Sequence, residues 1–143
     1  MLFPHDPLTL GDLHWPALYA RVETSPGYPV LAQTDAARAV AMALQRTSRA
    51  FDIEPIAYCL MPDHGHLVLA GRAAEADART ALRRWKQLSG AEHRLRTGQT
   101  LWRPKCAERL LQDPAEMWEA VAYLVEAPVR AGLVRLAGEH RWL

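Results

Sequence analysis

The stretch Ile53-Glu54-Pro55-Ile56-Ala57-Tyr58-Cys59-Leu60-Met61-Pro62, followed at once by Asp63-His64-Gly65-His66-Leu67-Val68-Leu69-Ala70-Gly71, decides the fold. Both halves are short, apolar and bounded by Pro, Asp or Gly, which predicts two strands joined by a tight turn at Pro62–Asp63. Side chains alternate along a strand, so His64 and His66 project from one face. Two imidazoles a few Å apart can share a divalent ion. The spacing alone fits a hydrogen-bonded or exposed pair of histidines better than a metal site.

Working outward, Trp15 to Thr24 is rich in β-forming residues and reads as a first strand. Residues 25–29, Ser-Pro-Gly-Tyr-Pro, are turn chemistry, and a short segment over 29–33 is expected to pair back. Thr34 is a good N-cap for a helix to Phe51, with Ala37, Val40, Ala41, Leu44 and Thr47 at helical spacing. A second helix is predicted over 73–93, burying Ala78, Leu82, Trp85 and Leu88. Asp113 caps a third helix from Pro114 to about Ala127, with proline at its first turn and Pro128 ending or kinking it. Strand, helix, strand, strand, helix is the order of half a ferredoxin-like sandwich. The expected fold class is therefore α+β, a ferredoxin-like antiparallel sheet with helices packed on one face, in a single domain over 1–143.

Composition bounds the function. Half of the 143 residues are apolar, enough for a core. No apolar run reaches the roughly 18 residues of a membrane span, and residues 1–16 lack the pattern of a signal peptide, so the protein is expected in the cytoplasm. Residues 1–14, with Pro4 and Pro7, read as an irregular lead-in. Cys59 and Cys106 have no CxxC partner and read as small core residues. Net charge is only +1, but residues 72–105 carry nine Arg or Lys against three acids while both flanks are acidic. Such an uneven distribution can present a phosphate-binding face without a basic protein.

The segment Tyr58-Cys59-Leu60-Met61-Pro62-Asp63-His64-Gly65-His66-Leu67-Val68-Leu69 resembles the Y-x-L-M-P-N-H-x-H-L-L-x signature of the HUH single-tyrosine transposases. Tyr123-Leu124-Val125-Glu126-Ala127-Pro128-Val129-Arg130-Ala131-Gly132-Leu133-Val134 is similar to the Y-I-x-x-N-P-V-R-A-G-L-V of their REP-associated branch, and Leu101-Trp102-Arg103 resembles its L-W-Q segment. The matches span residues 54–134 in family order. This resemblance implies a transposase that nicks and rejoins single-stranded DNA beside a hairpin. Tyr123 would be the nucleophile, forming a 5′-phosphotyrosine, and His64 and His66 would hold Mn²⁺ or Mg²⁺. It also implies a monomer, and the lack of an apolar span adds that no membrane is a partner.

Two positions depart from the pattern. Ala127 stands where the family has a metal-ligating Asn or Gln, so Glu126 or Glu119 is weighed as a substitute ligand; Gly65 stands where a bulky apolar residue is usual. The Ala127 departure keeps open a second reading, a domesticated protein that holds hairpin DNA without cutting it. A third, a small metal hydrolase acting on a non-nucleic substrate, lacks an evident general base. Helical spacing predicts an apolar stripe of Trp118, Val121, Ala122 and Val125, leaving Tyr123 on the polar flank. Tyr19, Tyr28 and Tyr58 are weaker nucleophile candidates. The expected DNA path is Arg79, Arg83, Arg84, Lys86, Arg94, Arg96, Arg103 and Lys105, with Trp102 as a surface on which a base can stack and Trp85 assigned to the core.

Overall fold

A computed structural model describes residues 10–25 and 29–142. The turn expected at 25–29, Tyr28 and most of the irregular lead-in fall largely outside the described residues. Four strands form one antiparallel sheet in the order β2-β3-β1-β4: β1 His14–Glu23, β2 Ile53–Met61, β3 His64–Gly71 and β4 Ala107–Leu111. The helices are α1 Thr34–Ala50, α2 Ala78–Thr97, α3 Pro114–Val125 and the single turn α4 Ala127–Arg130. The α+β sandwich and the β2–β3 hairpin with its turn at Pro62–Asp63 agree with the sequence reading.

Strand alternation divides the core into two layers. Leu18, Ala20 and Val22 of β1, with Leu67 and Leu69 of β3, face α1 and α2. Ala17 of β1, with Val68 and Ala70 of β3, faces the opposite way, against Met117, Ala120, Val121 and Leu124 of α3. Two helices thus share one face, as expected, whereas the third, expected beside them, covers the other and corrects the one-sided packing. Leu44, Leu82 and Trp85 are buried between the first pair of helices and the sheet. Trp85 donates its indole N–H to the Val40 carbonyl at 3.1 Å, which satisfies its one polar atom inside the core.

Helix ends follow capping chemistry. Asp77 accepts from the Arg79 N–H at 3.0 Å and from the Thr80 hydroxyl at 2.9 Å, starting α2 five residues later than the sequence suggests. Gly98, at φ +72°, ends α2 in a left-handed conformation that favours glycine. Asp113 accepts from the Glu116 N–H at 2.9 Å, while the Glu116 carboxylate accepts from the Gln112 N–H at 2.7 Å, so both sides of the α3 start are closed. Gln33 rather than Thr34 precedes α1.

Three further expectations are corrected. Residues Val30–Ala32 form a 3-10 turn, not a strand pairing back. Ala107–Leu111 is an additional edge strand on β1. The buried stripe of α3 is Met117, Ala120, Val121 and Leu124, while Trp118 is 45% exposed and Ala122 faces solvent. Cys59 is buried, as expected, and burial pushes its thiol up to about 11; Cys106 is only half-buried, at the lip of β4. At the other edge, the Leu60 N–H donates to the Trp142 carbonyl at 2.8 Å, and His140 Nε2 lies 2.8 Å from the Leu60 carbonyl. The C-terminal segment therefore occupies backbone groups of β2 that an open edge would expose.

Candidate active site

His64 and His66 share the α3 face of β3 with Val68 and Ala70, because residues two apart point the same way. Their Nε2 atoms lie 3.2 Å apart. The hairpin turn that introduces β3 supplies Asp63, whose Oδ1 is 2.7 Å from His64 Nδ1. This hydrogen bond from His64 holds the Asp63 carboxyl below its usual range, so the group is an acceptor and His64 carries its proton on Nδ1. The Nε2 of a neutral His64 is thereby left with its lone pair free.

His66 is buried, 2% exposed. Burial pushes its pKa down to about 3, with the neighbouring His64, Arg21 and Arg130 acting the same way, so the ring is neutral. Its Nδ1 lies 2.7 Å from the Tyr19 hydroxyl. Tyr19 reaches it from β1, where it pairs with Val68, one step along the same face. The hydroxyl both donates and accepts, so it satisfies either His66 tautomer. In one, Nε2–H donates to His64 and Tyr19 donates to Nδ1. In the other, Nδ1–H donates to Tyr19 and both Nε2 lone pairs converge.

The second arrangement fits a divalent ion. Two imidazoles bound at about 2.1 Å in tetrahedral geometry have nitrogens roughly 3.4 Å apart, within about 0.2 Å of the observed 3.2 Å. The donor set stops at two. Among the described residues, no group of three or more His, Cys, Asp or Glu side chains is gathered as a metal site. Glu126, expected as a third ligand, is not brought there: it follows the buried Leu124 by two positions, about 200° round the helix, and is exposed on the side away from the sheet. Glu119 is directed instead into a pocket beside the site. Ala127 is buried against the α3 layer and has no ligand atom.

Tyr123 stands over this pair. Its ring meets His66 edge to face, at 6.1 Å between centroids and 87° between planes. The side chain is 53% exposed, on the polar flank of α3, as helical spacing predicts. The Arg130 guanidinium caps the open face of its ring, 3.9 Å from the centroid. That arginine comes from α4, so the turn after Pro128 is what aims it. Tyr58 faces the opposite layer and is remote from this arrangement. The sequence offers Tyr19 only as a weaker nucleophile candidate, and its hydrogen bond to His66 has no sequence signal beyond its place on a strand. Arg21, which pairs with His66 across β1 and β3, has no sequence signal either.

The basic stretch is split by the sheet. Arg79, Arg83, Arg84, Arg94 and Arg96 are exposed on α2, in the layer opposite the histidines. Arg79 is paired with Glu108 at 3.2 Å, and Lys86 donates to the carbonyls of Arg103 and Pro104 at 3.0 and 3.2 Å. The loop after Gly98 passes the end of β1, where Thr24 bridges Trp102. It brings Arg103 and Lys105 into a cleft shared with Arg21. Glu23, in the same cleft, lies opposite His64 in the strand register and pairs with Arg21 at 3.5 Å and Arg103 at 3.6 Å. Trp102, expected to stack on a base, is corrected: it is 7% exposed, packs on Trp85 at 5.2 Å, and donates its indole N–H to Ser89 at 2.9 Å. Gly65 sits on the α1–α2 face, where an added Cβ would lie 3.2 Å from Leu60 Cδ2 and 3.5 Å from Val22 Cγ2. Neighbouring side chains fill the space of the bulkier residue usual in the family pattern.

No family model matches the chain, and no curated protein matches it significantly in sequence. Solved structures do. A REP-associated tyrosine transposase bound to a REP hairpin superposes with a TM-score of 0.76 at 17% identity, covering 99% of this chain and 81% of that one. A structure from Deinococcus radiodurans R1, assigned as a transposase, gives a TM-score of 0.58 at 16% identity, covering 87% of this chain and 98% of that one. The chain has the fold of the tyrosine transposases.

Proposed function

We propose that this protein is a metal-dependent tyrosine transposase of the REP-associated kind, which nicks and rejoins single-stranded DNA flanking a hairpin. The observation that carries the reading is the edge-to-face stacking of Tyr123 on His66, whose Nε2 is 3.2 Å from that of His64. A nucleophile and a two-imidazole seat for a cation therefore share one face. The similarity to a transposase solved with a REP hairpin supports the choice of partner.

In this reading Tyr123 Oη attacks the scissile phosphorus and gives up its proton to solvent. The bond to the 3′ oxygen breaks, that oxygen takes up a proton, and DNA is left as a 5′-phosphotyrosine ester and a free 3′-hydroxyl. Attack by a 3′-hydroxyl on the ester reverses the step and transfers the strand without an external energy source. His64 and His66 would hold Mn²⁺ or Mg²⁺, with phosphate and water completing the shell; the bound cation would polarise the phosphate. Asp63 and Tyr19 fix the two rings, Arg130 steadies the nucleophile, and Arg21, Arg103 and Lys105 receive the phosphates next to the scissile one. The protein acts as a monomer.

The test is incubation of the protein with labelled hairpin DNA and Mn²⁺. A covalent protein–DNA band is expected that is lost in Tyr123→Phe and in His66→Ala. A band that persists in Tyr123→Phe overturns the assignment of the nucleophile. Ala127, together with the absence of a third protein ligand among the described residues, favours one alternative, a descendant that binds the hairpin without cutting it. Tight hairpin binding with no band at any Mn²⁺ concentration would select that alternative.

A further inference from the structure

The run Pro128-Val129-Arg130-Ala131-Gly132-Leu133 folds into a closed turn that carries one cation. Pro128 is buried and fixes its own φ at the start of α4. Gly132, at φ +75°, ends the turn in the left-handed region that favours glycine. Its N–H donates to the Val129 carbonyl at 3.0 Å, and the Leu133 N–H donates to the Pro128 carbonyl at 3.0 Å, the paired bonds of a Schellman closure. The Arg130 side chain therefore leaves from a fixed backbone.

That side chain is exposed, with its guanidinium 3.9 Å from the centroid of the Tyr123 ring. It forms no ion pair among the described residues. The cleft arginines differ, since Arg21 and Arg103 both pair with Glu23. The Arg130 charge also acts on Tyr19 and His66, so it stands close to the imidazole pair.

An arginine stacked on a ring engages only its flat face. Its five N–H donors lie in the guanidinium plane and stay free to hold an anion through two parallel bonds. A phosphorus in attack position is about 3–3.5 Å from the tyrosine oxygen. A phosphate there brings its non-bridging oxygens to the edge of a guanidinium stacked on the same ring. Ala127 offers no ligand atom, so two imidazoles alone would seat a cation and part of the phosphate charge is left for another group.

Resting on the transposase reading above, we infer that Arg130 binds the non-bridging oxygens of the phosphate that Tyr123 attacks, and does so without a metal ion. One guanidinium then touches both reactants: its face orients the phenol and its edge holds the phosphate.

The test uses the intact protein in EDTA and a hairpin with a single-stranded flank, selected from a random pool for tight binding. Each flank phosphate is replaced in turn by an uncharged methylphosphonate, and affinity is read by fluorescence anisotropy. At one position the wild type is expected to lose about tenfold, the scale of a hydrogen bond between charged groups. Arg130→Ala is expected to bind the unmodified hairpin about tenfold more weakly and to lose less than about twofold more at that position. Arg130→Lys, which keeps the charge without the planar fork, is expected to fall between them. The same position is expected to carry the Tyr123 ester when Mn²⁺ is added. Arg130→Ala losses that match the wild type at every position, or an ester at a different position, overturn the clamp. If no ester forms while the coupling at one position persists, the cleavage reading falls and Arg130 is left as a clamp on bound DNA. If the wild type selects no hairpin, the DNA-binding reading and the clamp fall together.

Discussion

The Tyr19 hydroxyl lies 2.7 Å from His66 Nδ1, joining β1 to β3 across the face that α3 covers. A metal-ligating imidazole is oriented by the partner of its other nitrogen, and removing such a partner commonly costs about 10–100-fold in metal affinity. Tyr19→Phe is therefore expected to weaken Mn²⁺ binding by about that factor while leaving the circular dichroism spectrum unchanged. Calorimetric titration checks it; an unchanged affinity would mean that His66 is oriented by packing alone.

Glu126 points away from the sheet, which leads to an expected null result. Mn²⁺ affinity in Glu126→Ala should stay within about twofold of the wild type, less than the change of about 1.4 kcal/mol that a tenfold loss represents. A tenfold loss in the same titration would restore Glu126 as a ligand.

Arg103 and Lys105 stand in the cleft with Arg21, beside the position that pairs with His64. Each phosphate contact removed lowers the slope of log affinity against log salt by about 0.7–0.9. Arg103→Ala and Lys105→Ala should each reduce the slope by roughly that amount in fluorescence anisotropy with hairpin DNA. Trp102→Phe should instead lower stability, since the indole loses its hydrogen bond to Ser89, and leave the salt slope unchanged.

Asp77 caps α2, and the hydrogen bond from Thr80 is the main cause that holds its carboxyl below the usual value. A cap of this kind is worth about 0.5–2 kcal/mol. Because the folded-state value is depressed, that stability is fully present above the unfolded value of about 3.9 and is lost as pH falls through the folded value. Urea unfolding should show Asp77→Ala less stable than the wild type by about 1 kcal/mol at pH 7. The two curves should converge as pH falls below the unfolded value and through the depressed folded one.

Trp85 fills the space between α1, α2 and the sheet with no exposed surface. Trp85→Ala is expected to cost about 3–5 kcal/mol, measured by the same urea titration, and to leave Trp102 without its ring partner.

The β2–β3 hairpin was legible because both strands are apolar runs that break at Pro62–Asp63, and the His-Gly-His alternation needed only strand geometry. The placement of Tyr123 on a polar flank was legible from helical period. Strand β4 was not: Ala107, Glu108, Arg109 and Leu110 are all exposed, leaving only Leu111 to mark a buried face. The buried stripe of α3 is not where side-chain size puts it, because Trp118 is the largest apolar residue of the helix, yet Met117 and Leu124 are the ones that reach the sheet. Tyr19, Arg21 and Arg130 join the site through cross-strand register and a turn after a proline, long-range relations that local spacing does not encode. The separation of the α2 arginines from the histidines has the same origin, since it follows from which way each helix crosses the sheet.

That separation makes the molecule a ruler. A strand that touches both the α2 arginines and Tyr123 has to pass round the sheet, at its end by Arg103 or over the β4 edge where Arg79 meets Glu108, so its reach is measured by the thickness of the protein. Oligonucleotides too short to make the turn can engage one layer or the other, but never both at once.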